Sequence, residues 1–141
     1  MPLSAFLAPF PPIIIIMKIL YEDHHCRVTD LCIIIYRYYF PLATSKTILY
    51  QEVEKIDLVD ATEVNHLWGV TTAFMNGWFH LDGERKSKAK YICVKMKNKN
   101  IRPCLTPTDP IGVFNILRNH FMEMERKSVA FRSNVDKLTE A

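Results

Sequence analysis

Hydrophobic patterning along the chain centres on Leu31 to Phe40 (LCIIIYRYYF), a stretch dense in β-branched and aromatic side chains. That composition predicts a long central β-strand. Strand periodicity puts Ile34, Tyr36, Tyr38 and Phe40 on one face and Ile33, Ile35, Arg37 and Tyr39 on the other. Shorter alternating runs surround it. Lys18 to Tyr21 reads as an edge strand. His25 to Thr29 reads as a strand that turns at Thr29-Asp30, where the Asp side chain can bond local backbone. Pro41 ends the long strand, because proline cannot donate to a sheet ladder.

Lys46 to Tyr50 and Val53 to Val59 predict two further strands, with a bulge or kink at Gln51-Glu52. His66 to Thr71 and Trp78 to Leu81 predict a hairpin around Asn76-Gly77. Ala89 to Lys97 alternates so that Ile92, Val94 and Met96 share a buried face. Tyr91, Cys93, Lys95 and Lys97 then share the wet one. Ile101 to Thr106 is the last predicted strand. The period then changes. Thr108 or Asp109 can cap a helix that has Pro110 at its first position. Val113, Phe114, Leu117, Phe121 and Met124 recur at three- and four-residue spacing, which predicts one amphipathic helix to about residue 126.

Length and composition then bound the domain plan. The chain has 141 residues, enough for one domain with tails. Residues 1–16 are apolar and carry Pro2, Pro9, Pro11 and Pro12, with no Lys or Arg. They read as a tail outside the fold, with Met17 as an alternative start. The run Pro12 to Met17 is far shorter than the ~20 residues of a membrane span. The expected plan is a tail over 1–16, a domain over 17–126 and a polar tail over 127–141, either a frayed helix or a loose segment.

The formal net charge of +3 gives no global drive toward nucleic acid or an anionic surface. The four cysteines form no C-x-x-C pair and read as reduced thiols of a cytoplasmic protein.

Three runs carry a family resemblance: RVTDLCIIIYRYYFP, KTILYQEVEKI and LTPTDPIGVFNIL. Together they resemble a bacterial pleckstrin-homology-like (PH-like) domain over roughly Lys18 to Met124. The resemblance implies a mainly β (α+β) fold. It would be a seven-stranded, strongly bent antiparallel sandwich or partial barrel, capped by one C-terminal helix. Related domains bind phosphoinositides or peptides. Lipid-binding members hold phosphates with several Lys and Arg near the first hairpin. Here that hairpin carries His24, His25, Arg27 and Asp30. No lipid-site residue is therefore carried over.

Candidate chemistry is sparse. The basic residues from Arg85 to Lys99 could meet phosphates, although a solvated loop and the wet face of a strand explain them as well. His24, His25, Cys26 and Cys32 are zinc-binding types. Adjacent strand residues point to opposite faces, so His24 and His25 cannot readily chelate together. Trp68 and Trp78 flank the Asn-Gly turn and could line a cleft or pack across the hairpin. His66 and His80 could meet Asp57 or Asp60 in space. There is no G-x-S-x-G elbow and no Gly-rich phosphate loop.

The expectation is a non-catalytic PH-like adaptor, without cofactor, metal or catalytic residues, that engages a protein or peptide. Its candidate surface is Trp68, Trp78, Tyr91, Arg85, Lys86, Lys95 and Lys97. The alternative is a peripheral module that meets anionic lipid head groups through the basic 85–99 face. Nucleic acid is not an expected partner.

Overall fold

The computed structural model describes residues 16–60, 69–71 and 77–139. They form a mainly β, α+β fold of two sheets and one C-terminal helix. The first sheet has the order β1 (Ile19–Glu22), β2 (Cys26–Thr29), β3 (Cys32–Tyr39), β4 (Thr44–Leu49). The second contains β5 (Val53–Asp60), β6 (Gly69–Thr71), β7 (Gly77–Phe79), β8 (Lys90–Met96) and β9 (Arg102–Leu105), in the order β5-β8-β9-β7-β6. The helix α1 spans Pro110–Thr139.

The described strands number nine rather than seven, and they do not close into a barrel. One pair departs from the antiparallel expectation. β9 lies antiparallel to β8 but parallel to β7, with Trp78 opposite Pro103.

Local chemistry explains the corners. Thr29, rather than Asp30, makes the first tight turn: its Oγ1 accepts from the Leu31 and Cys32 amides at 3.1 and 3.0 Å. Asp30 instead accepts from the Lys18 amide at 3.0 Å and anchors the chain before β1. A 3-10 turn at Tyr50–Glu52 carries the chain between the sheets, where the patterning breaks at Gln51-Glu52. Asp109 caps α1. Its Oδ1 accepts from the Gly112 amide at 3.1 Å, and a Cβ on Gly112 would lie 2.1 Å from that carboxylate.

The core gathers Val28, Ile33, Ile35 and Ile48 of the first sheet with Ile92, Val94, Met96 and Leu105 of the second. Val113 and Leu117 of α1 complete it. In β3, Ile33 and Ile35 face this core as the alternation predicts, but the next buried side chain is Tyr38, not Arg37. Arg37 has φ 51° and the pairing with β4 shifts between Ile35 and Tyr39. One extra residue at a bulge reverses the faces of everything after it.

Tyr91 and Cys93 are also buried, not wet. With Phe79 and Cys104 they form a second small cluster on the opposite face of β8. The Tyr91 and Phe79 rings meet edge-to-face at 5.0 Å.

α1 runs well past the expected end near residue 126, and residues 122–139 are exposed. The segment expected as a polar tail is helical as far as Thr139. Among the described residues no helix is long and apolar enough to cross a membrane.

The four cysteines are free thiols with at most 4% exposure. Burial pushes the Cys26 thiol far above its ordinary range. Less than one thiol per chain is therefore expected to react with Ellman's reagent in the native state, and all four after denaturation. Prompt native reaction of two or more would show that this packing is wrong.

Candidate functional site: a buried polar cluster and an aromatic cleft

Where the two sheets meet, six polar side chains from distant parts of the chain converge. His25 immediately precedes β2, and Arg37 sits at the β3 bulge. His80, Asp82 and Lys88 lie between β7 and β8, and Thr106 follows β9. The Lys88 ammonium donates to Asp82 Oδ2 at 2.7 Å, to the Thr106 carbonyl at 2.6 Å and to His25 Nε2 at 3.1 Å. All three of its protons are thus used. Asp82 also accepts from the Thr106 hydroxyl and from the Glu84 amide. His80 Nε2 accepts the Thr106 amide at 3.0 Å. The backbone joins here too, through Leu81 N–H to the Arg37 carbonyl at 2.8 Å.

The electrostatics follow from burial. Desolvation, reinforced by the charge of Arg85, lowers His80 to about 3. Desolvation also lowers His25, and the Lys88 and Arg37 cations on either side of its ring act in the same sense. Burial alone would raise Asp82. The hydrogen bonds from Lys88 and Thr106 outweigh it and bring the carboxyl down to about 2.

His25, His80 and Asp82 have ligand atoms within 4.8 Å of one another. A metal is nevertheless poorly served, because Lys88 already supplies the cation and His80 Nε2 already has its donor. The zinc-type residues weighed from sequence do not converge, since His24 is exposed while His25 and Cys26 are buried. His80 meets Asp82 rather than Asp57 or Asp60, and His66 lies outside the described residues.

The second feature is a cleft of about 550 Å³ between the end of β3 and the β8–β9 turn. Tyr38, Tyr39, Phe40, Trp78 and Ile101 give it an apolar lining, and Lys46 and Lys99 stand on it. The Lys46 ammonium lies 5.5 and 5.6 Å from the Tyr38 and Tyr39 ring centroids. The Trp78 indole N–H is anchored on the Tyr38 carbonyl at 2.8 Å. Phe40 is 68% and Ile101 52% exposed, so the mouth is open and apolar. The β3 bulge creates this place by turning Tyr38 toward Trp78.

Of the surface expected from sequence, only Trp78 lines this cleft. Trp68 and the Lys86 side chain lie outside what the structure describes. Tyr91 belongs to the small cluster behind β8. Arg85 is buried: its guanidinium donates to the His80 carbonyl and lies 4.7 Å from the Phe79 ring centroid. Burial lowers its pKa to about 10. Lys95 is partly exposed and pairs with Glu54 at 3.5 Å. Lys88 is consumed in the cluster, and Lys90 pairs with Asp60. Lys97 is exposed but lines a separate groove beside α1. The basic 85–99 residues therefore do not gather on one face.

The sequence does not single out Tyr39, Phe40, Lys46, Lys99 and Ile101 as a set. A proline-ended aromatic run followed by a basic residue on the next strand marks Tyr39, Phe40 and Lys46, and nothing local marks Lys99 and Ile101 as their neighbours. No protein-family model, curated protein or solved structure matches the chain.

Proposed function

We propose that this protein is a non-catalytic binding module whose site is the aromatic cleft, and that it takes an extended peptide with an apolar or aromatic anchor beside acidic residues. One observation carries the reading: an open apolar cleft bears two ammonium groups, and neither pairs with a carboxylate among the described residues. Aromatic walls hold an anchor side chain, and Lys46 and Lys99 complement flanking carboxylates. β4 pairs only with β3 among the described strands, so its outer edge offers backbone groups to an added strand next to Lys46. The mainly β body followed by one terminal helix is in keeping with the PH-like reading from sequence, whereas the nine described strands and the parallel β7–β9 pair depart from it.

A peptide-display selection on the immobilised protein tests this. Enrichment of an aromatic or aliphatic residue flanked by Asp or Glu is expected. The Lys46→Glu/Lys99→Glu variant should weaken the selected peptides about tenfold or more per charge pair lost. Enrichment that survives both this variant and Phe40→Ser would overturn the assignment.

A second reading has its own observation. Phe40 and Ile101 are exposed apolar residues on the cleft that bears Lys46 and Lys99, and Leu42, two positions past Phe40, is 81% exposed, a pattern that suits shallow insertion into an anionic surface. Co-sedimentation with phosphatidylserine vesicles, abolished by high salt and by Leu42→Ser, would favour the membrane over the peptide.

A further inference from the structure

We infer that the outer half of α1 is a self-association element and that its partner is a second copy of this chain, packed antiparallel. The core-facing stripe of the helix does not stop where the body of the protein ends. Leu117 is buried and Phe121 half-buried against the core. The same three- and four-residue spacing continues through Met124, Ser128, Phe131, Val135 and Leu138. This is an unbroken heptad seam. Phe131 is 69% and Leu138 77% exposed. A solitary helix of about 27 Å standing off the body is marginal in water, and more so with such residues bare.

Charge and size choose the arrangement. A parallel pair would bring Lys127 of each copy against Arg132 of the other and stack Ser128 on Ser128. An antiparallel pair centred between Ser128 and Phe131 removes both conflicts. Phe131 then fills the space over the small Ser128 of the other copy. Val135 meets Met124, and Leu138 meets Phe121. Glu125 faces Arg132 of the other copy, twice by symmetry. The arrangement also seats the arriving helix end beside a groove of about 660 Å³ between α1 and the body, lined by Tyr50, Val53, Lys97, Phe121 and Met124.

Sedimentation equilibrium on the full chain, from low to several hundred micromolar, tests the inference. A dimer is expected, and Phe131→Glu should give a monomer whose thermal unfolding by near-UV circular dichroism is unchanged. Glu125→Arg or Arg132→Glu alone should each weaken the dimer at least about tenfold. The double variant Glu125→Arg/Arg132→Glu should restore it. A wild-type chain that stays monomeric throughout would overturn self-association. A dimer that the double variant fails to restore would overturn the antiparallel arrangement.

Discussion

Acidification from about pH 7 to about pH 4 is expected to lower the stability of this fold by about 3 kcal/mol, well before its surface carboxylates are fully protonated. His80 is the main cause. Its ordinary pKa is 6.5, and burial, with Arg85 beside it, lowers it to about 3. Below about pH 6.5 the unfolded chain binds a proton at this position and the folded chain does not. Stability contributed by neutral His80 is therefore complete above about pH 6.5 and is lost as the pH falls toward about 3. The slope approaches about 1.4 kcal/mol per pH unit for one such group. His25 is lowered as well and acts with the same sign. Asp82 adds its own loss only below about pH 4, because its lowered pKa makes the ionised form the stabilising one.

Urea unfolding at a series of pH values measures the slope. The His80→Gln variant keeps an acceptor for the Thr106 amide but cannot titrate, and it should flatten the curve between about pH 6.5 and 4 by about one proton's worth. A wild-type stability that is level from about pH 7 to 5 would sink this account of the cluster.

The second large effect concerns Lys88. Replacing it with Met removes a cation that donates at 2.7 Å to the Asp82 carboxylate, whose side chain has 0% exposure. Leaving a buried charge without its partner typically costs about 3–5 kcal/mol. Asp82→Asn alone should also destabilise strongly, because it leaves the Lys88 ammonium facing a weaker acceptor. Together the two changes should cost clearly less than their sum, by about 1.5 kcal/mol or more, since neither charge is then stranded. The control is Lys95→Met. Its pair with Glu54 is partly exposed, so the loss should stay below about 1 kcal/mol. Additive losses at Lys88 and Asp82 in denaturant titrations would show that the pair is not coupled as drawn.

The two effects share a cause. Among the described residues, the two sheets are joined at this corner by one backbone hydrogen bond, from Leu81 to Arg37, and by these side chains. The adjacent aromatic cleft is built on the same bulge, since Arg37 both faces His25 and turns Tyr38 toward Trp78. Weakening the cluster should therefore loosen the cleft as well as the fold.

Several misreadings have one physical origin. Tyr91, Cys93 and Arg85 look solvent-facing in an alternating, basic context. Whether a second sheet face is wet depends on what folds over it, and here the Phe79 ring and the segment around Arg85 cover it. The apolar signal of α1 fades before the helix ends because Ser128 and the charges around it dilute it. The heptad spacing persists through them, and spacing rather than mean hydropathy carries helical register.

Properties set by neighbours in the chain could be read from the sequence itself. The long strand and its stop at Pro41, the hairpin at Thr29, the break at Gln51-Glu52 and the helix start at Asp109-Pro110 all arise from local sterics and short-range hydrogen bonds. What only the tertiary structure decided is the convergence of groups far apart in sequence. His25 and Lys88 are 63 positions apart, and Trp78 and Tyr38 are 40 apart. A lysine becomes an internal cation, and a tyrosine a cleft wall, only when the surrounding chain excludes water from one and a single bulged residue reorients the other.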